Sequence, residues 1–311
     1  MKITKRNLVM LFILLFNAVV QVCAQEQSML KGQVIDAETG KAVSYASAEI
    51  ISKHLGAAAN AEGILQFAIS ESMVDETLTF SALAYCTRQV KVKELTENQP
   101  FVVELERKVY TLPEFTFRVG NLEKVKLGNF QEGSLSSFSV TLAGMLTAVF
   151  MDNSNGCEGI ITSVSYFIVK PNRLTKSYPR TPFRVRIFAV DSLTGGPGED
   201  LLTGGLVVRA KGPGWFTVDV SEYNITAPKE GYFAAMEWVY SKEKYYFEII
   251  AGGQAQLVYG QTLGIILGNF TPNTWRKKLG YDWFFEDYVN TGLVKGGFTN
   301  SLITSEVDCF K

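Results

Sequence analysis

Two glutamates, Glu237 and Glu248, sit in neighbouring alternating runs, 231–240 and 245–251. Alternation puts Glu237 on the face that carries Phe233, Ala235 and Val239, an unusual position for a charge. If Ser241-Lys242-Glu243-Lys244 is a four-residue hairpin loop, Tyr240 pairs with Tyr245 and Glu237 lies directly opposite Glu248. Facing carboxylates repel, so something cationic is expected between or beside them. Three readings stay open. An arginine from a neighbouring strand (Arg184, Arg186 or Arg209) supplies the charge, a ligand or calcium ion supplies it, or the pair is catalytic. The last is conceivable because cross-strand carboxylates approach the short separation of a retaining glycosidase. A one-residue slip in register cancels the juxtaposition.

A second group is aromatic: Trp275, Tyr281, Trp283, Phe284, Phe285 and Tyr288, interleaved with Asp282, Glu286 and Asp287. Such rings stack on the flat apolar faces of sugars, and ordinary core and edge packing competes with that role. His54 is the only histidine. A zinc peptidase site needs two His ligands and a Glu, which this chain cannot provide. Ser-His-Asp or Cys-His catalysis would have to use His54, which stands near a predicted turn without a nucleophile motif and is expected to be plainly exposed. Gly195-Gly196-Pro197-Gly198 lacks the Lys-Ser/Thr and following helix of a phosphate loop. The 191–200 loop carries Asp191, Glu199 and Asp200 without calcium-loop spacing. No catalytic residue, metal site or cofactor is expected.

The elements that must position these residues read as strands. From Met29 to about Leu105, short alternating runs are split by turn residues: 31–36, 46–51, 64–69, 77–82, 88–92 and 101–105. Turns fall at Glu38-Thr39-Gly40 and Asn60-Ala61-Glu62-Gly63, and no segment keeps a helical period. A stretch at 107–132 reads as a linker. From Gly133 to Lys311 the strand candidates are 160–170, 183–190, 206–210, 215–220, 231–240, 245–251 and 262–269, spaced by Gly, Pro and Asn. In 183–187, Phe183, Val185 and Ile187 alternate with Arg184 and Arg186, the mark of a half-buried strand. Residues 142–151 fit either a helix or a strand. The series predicts an all-β protein whose second half is a jelly-roll-like sandwich.

The first of these units resembles the carboxypeptidase-regulatory-like domain common at the N-terminus of exported Bacteroidetes proteins. The likeness runs through Gly32-Gln33-Val34-Ile35-Asp36, Thr39-Gly40, Ala46-Ser47-Ala48, Asn60 with Gly63, Phe67, and Leu78-Thr79-Phe80-Ser81 leading to Tyr85. Ala84 departs from it, standing where the family usually has Gly. The resemblance implies a prealbumin-like, seven-stranded β-sandwich over residues 28–106 with an accessory, non-catalytic role. Residues 109–117 resemble the segment that follows this domain in outer-membrane receptors, but fewer than 200 residues remain, too few for a 22-stranded barrel. The second half looks like the uncharacterised C-terminal half of many such proteins, a similarity that brings no activity.

The chain starts with Lys2, Lys5 and Arg6, then an apolar run from Leu8 to Val20, then Val22 and Ala24, so residues 1–24 read as a signal peptide. No later segment approaches the roughly 20 apolar residues of a spanning helix, so no transmembrane span is expected in the mature chain. Removing the leader takes three of 30 basic and none of 31 acidic residues, leaving a net charge of −4. That balance, without a Lys/Arg cluster, excludes a nucleic-acid partner. Cys86, Cys157 and Cys309 remain, either as one disulfide with one thiol or as three reduced cysteines. The expectation is an exported periplasmic or cell-surface protein that binds a glycan or an envelope protein. The alternatives are a glycoside-active enzyme using the glutamate pair and a purely structural or assembly module.

Overall fold

The computed structural model describes residues 27–109, 122–130, 136–170, 180–251, 253–268, 271–286 and 298–310. The leader, most of 109–117, and Tyr288 lie outside these residues. The described chain is an all-β protein of packed sheets with one short helix, Val92–Glu97. That helix was not legible as a period because only Val92 and Leu95 point inward, too few positions to establish one. Among the described residues no helix is long and apolar enough to cross a membrane.

The first unit packs a three-stranded sheet on a four-stranded one. In the smaller sheet β1 (Gln27–Asp36) lies between antiparallel β4 (Ile64–Ser70) and parallel β7 (Phe101–Leu105). The larger runs β3 (Leu55–Ala58), β2 (Ser47–Ile50), β5 (Thr77–Ser81), β6 (Arg88–Lys91). Period-two patterning decides what faces inward: Leu65, Phe67 and Ile69 of β4 and Phe101, Val103 and Leu105 of β7 meet Ile50, Leu78 and Phe80 in one core. Each such fully buried side chain contributes about 1.5–3 kcal/mol by leaving water.

The second unit has a seven-stranded sheet of β13 (Pro197–Asp200), β12 (Phe183–Val190), β16 (Tyr232–Glu237), β10 (Leu146–Met151), β19 (Thr274–Lys277) and β20 (Phe284–Phe285), with β14 (Val207–Val208) also on β12. Its eight-stranded partner runs β17 (Tyr246–Ala251), β18 (Gln254–Gly268), β11 (Gly159–Val169), β22 (Ile303–Phe310), β8 (Leu122–Gly128). In this partner sheet β15 (Gly214–Asp219) pairs with β11, while β9 (Ser136–Val140) and β21 (Phe298–Ser301) pair with β18. The chain repeatedly crosses from one sheet to the other, from β9 to β10 to β11 to β12 and again from β15 to β16 to β17. Residues 142–151, ambiguous in sequence, turn and then enter strand β10. Strand β8 falls inside the stretch expected to be linker, but all seven of its residues pair with β22, so the second unit begins no later than Leu122.

The core between these sheets is aromatic, and its polar tips are hydrogen-bonded. Tyr166 donates to the Ala235 carbonyl at 2.9 Å, Tyr232 to Ser305 at 2.8 Å, and Trp238 Nε1 to the Gln261 carbonyl at 2.7 Å. Cys157 and Cys309 form a disulfide that ties the 152–158 loop to the last strand, and Cys86 is an exposed free thiol. The outer face of the seven-stranded sheet carries a further apolar layer of Leu146, Ala148, Phe188, Phe233 and Ala235, covered in part by Trp275 and Trp283. Strand β16 is therefore buried on both faces.

Candidate functional site

Glu237 and Glu248 do not face each other. Glu237 is the last residue of β16, level with Leu146 on one side and Arg184 on the other. Glu248 lies on β17 in the opposite sheet, exposed and level with Leu257. The expected hairpin does not form because 238–245 carries the chain across the sandwich, through a 3₁₀ turn at Glu243–Tyr245. The catalytic pairing is thereby withdrawn.

The cation expected near Glu237 is present twice. Its Oε2 accepts from Arg186 Nη1 at 2.5 Å and from Arg184 Nη1 at 3.4 Å, and Arg186 Nε donates onward to Asp200 at 2.6 Å. Burial pushes the Glu237 carboxyl up, but the two arginines more than offset it and hold it below its usual range. Desolvation dominates at Asp200 and raises its pKa despite Arg186. Strand β12 is thus not half-buried as its alternation implied. Its polar face is buried too, covered by the carboxylates of β13 and β16 and by the first unit.

That covering defines the seam between the two sandwiches. Arg184 Nη2 donates to the Ser44 carbonyl at 3.3 Å, and its guanidinium lies 5.2 Å from the centre of the Tyr45 ring. Glu49, 5% exposed, accepts from the Gly280 N–H at 3.2 Å and stands 3.8 Å from Lys277 Nζ. Gly280 has φ +80°, and a Cβ there would lie 2.4 Å from Leu55 N, so only glycine lets the two backbones meet. His54 stacks on Tyr281, centroids 4.4 Å apart and planes at 13°. It is exposed, as expected, yet it belongs to the seam. Glu199, from the loop weighed for calcium, pairs with Lys108. Asp191 accepts from the Leu193 and Thr194 amides, and Asp200 serves Arg186. The three carboxylates of that loop have separate structural partners. Among the described residues no His/Cys/Asp/Glu group could hold a metal ion.

Beside the seam opens a cleft of about 500 Å³. The first unit contributes the edge strand β3 through Gly56, Ala57 and Ala58, and Asn60, Ile64 and Gln66 beside it; the second contributes Leu142, Ala143, Leu279, Tyr240, Glu243 and Tyr246. Tyr240 and Tyr246 are braced from behind by the buried Tyr259, at centroid distances of 6.3 and 4.7 Å. The Tyr259 hydroxyl in turn accepts from the Ser241 amide at 2.7 Å, which fixes the crossing segment. Tyr240 donates to Glu243 at 2.5 Å, and this bond, with burial, pushes its hydroxyl up to about 12, so it stays protonated at neutral pH. The cleft thus combines an apolar floor, two braced rings and a rim of amide, hydroxyl and carboxylate groups, the mix typical of small-ligand sites.

The C-terminal aromatics divide among different places. Trp275 packs on Phe233 and Phe285 and against Gly196, where a Cβ would lie 2.7 Å from its ring. Trp283 stands edge-on to Phe188 at 5.5 Å, and Tyr281 is at the seam. They do not form one continuous flat platform. Sequence reasoning passed over Tyr240, Glu243 and Tyr246 as loop and strand ends. The one signal for them, a Tyr-rich pair of runs around 240–246, was absorbed by the hairpin reading. No protein-family model matches this chain, and no curated protein matches it.

Proposed function

We propose that this is an exported, non-catalytic cell-envelope protein that binds a glycan in the cleft between its two sandwiches. The first sandwich acts as an accessory module of the carboxypeptidase-regulatory-like kind. The observation that carries the reading is the cleft itself, a volume within the roughly 300–1,000 Å³ of small-ligand sites. Its tyrosine rings offer stacking surfaces, and its amide and carboxylate groups offer partners for hydroxyls. Glycoside hydrolysis by the usual routes needs two carboxyl groups flanking the bond. Among the described residues Glu243 is the single carboxylate lining this cleft, which supports binding rather than turnover.

The test is a glycan-array screen of the full mature chain beside a Tyr240→Ala/Tyr246→Ala double variant whose fold is checked by near-UV circular dichroism. Selective binding by the wild type, weakened at least tenfold in the folded variant, is expected, taking as the guide the roughly 1–3 kcal/mol by which a base stacks on an aromatic side chain. Undiminished binding by that variant removes the cleft from the account, and release of reducing ends from a bound glycan removes the non-catalytic reading.

A further inference from the structure

A second pocket, of about 430 Å³, opens where β9 approaches β19 and β20, and its lining includes Phe138, Ser139, Arg276, Lys278, Phe284 and Phe285. Arg276 is 6% exposed, with its guanidinium 3.4 Å from the centre of the Phe138 ring. Its Nε is paired with Glu286, whose other oxygen accepts from Thr299 at 2.7 Å. Among the described residues this contact at Nε is the one ion pair of the Arg276 guanidinium. Burial, opposed by Glu286, lowers the pKa of Arg276 to about 10, which leaves it a cation at neutral pH. Lys278 is exposed and reaches over the Phe284 ring at 5.8 Å, so the pocket holds two cations against one carboxylate. Phe284 and Phe285 are 38% and 36% exposed at its mouth. A buried guanidinium satisfied at one edge gains from a second anion, and its planar fork matches a carboxylate.

We propose that this pocket receives the carboxylate of an acidic sugar residue on the Arg276 guanidinium, with Lys278 as a second cation and the Phe284 ring, level with Arg276 on the neighbouring strand, as the surface against which the sugar ring lies. The assignment rests on the glycan reading above and adds the sugar class and a second contact site, away from the tyrosine cleft. Binding of the full chain to glucuronate- and sialate-terminated oligosaccharides is compared with binding to their methyl esters, which keep the shape and lose the charge. The acids are expected to bind about tenfold or more tighter than the esters, as hydrogen bonds to a charged group allow. Lys278→Ala should reduce that preference and Arg276→Gln should abolish it. Because Arg276 sits in a buried ion pair, the exposed Lys278→Ala and Phe284→Ala variants carry the test if Arg276→Gln does not fold. Equal binding of acid and ester by the wild type, or a full preference in folded Arg276→Gln and Lys278→Ala, overturns the proposal. Tyrosine-dependent binding of neutral glycans would then leave the cleft reading standing, whereas failure of every glycan would remove both. Arg276-dependent capture of a peptide C-terminal carboxylate in preference to the acidic sugars overturns the sugar assignment.

Discussion

At the scale of single residues, three groups carry testable consequences. Glu237 and Asp200 together balance two buried arginines, so Glu237→Gln leaves one uncompensated cation and should cost about 3 kcal/mol or more of stability by urea unfolding. A loss under 1 kcal/mol would mean the network is not held as described. Ala84 has φ +67°, the left-handed conformation that favours glycine, and is locked by the Lys108 amide on its carbonyl at 2.9 Å. Ala84→Gly should therefore stabilise the protein by about 0.5–1 kcal/mol, the relief of left-handed strain less the extra entropy of an unfolded glycine. An unchanged or lower midpoint would contradict this. Asp36 accepts from the Thr39 amide and hydroxyl at 2.8 and 2.9 Å, from Tyr85 at 2.8 Å and from Arg107 at 2.7 Å. Those donors, led by the Thr39 amide, hold its carboxyl well below its usual range despite burial. A carboxylate with a depressed folded pKa stabilises fully above the unfolded value of about 3.9, and that contribution is shed as pH falls from there through the folded value. The stability gap between wild type and Asp36→Asn should accordingly be constant near neutrality and close on acidification; a gap that widens below pH 4 would refute the assignment.

At the scale of elements, what the sequence showed and what it hid have physical causes. Strands with one face in a core, such as β4 and β7, declare themselves by alternation, and so did the inward face of β12. The burial of its arginine face did not, because alternation reports polarity and cannot tell solvent from a partner carboxylate on another strand. The Glu237–Glu248 register failed for a related reason. A hairpin and a crossing between sheets both need a short polar connection, and Ser241-Lys242-Glu243-Lys244 serves either. One local device was legible in retrospect. Asp36-x-x-Thr39-Gly40 and Asp191-x-x-Thr194-Gly195 make the same turn, with the Asp accepting the amide and hydroxyl of the Thr and the Gly at φ +67° and +71°. The disulfide was one of two readings of three cysteines, since pairing depends on which strands become neighbours. Cys157 and Cys309 are 152 positions apart in sequence and 5.4 Å apart at Cα. Reduction, or Cys157→Ser, should cost about 2–5 kcal/mol and loosen the end of β22 first. Hydrogen exchange that leaves residues 303–310 as protected as before would contradict that order.

At the scale of the whole molecule, two sandwiches with separate cores are joined by a seam of buried charge and close backbone contact, and the cleft proposed to take the ligand exists only where they meet. The sequence announced both sandwiches and no cleft, because its walls come from residues such as Gly56, Gln66, Leu142 and Tyr240 that are unremarkable in their own units. On the proposed function, binding is a property of the joined pair. The most direct test is hydrogen–deuterium exchange of the full mature chain with and without the strongest ligand from the array. Added protection at residues 55–66 of the first sandwich together with 240–246 of the second is the predicted result. Protection confined to one sandwich, or absent from both segments while the glycan is bound, would contradict the claim that the cleft between them is where the ligand sits.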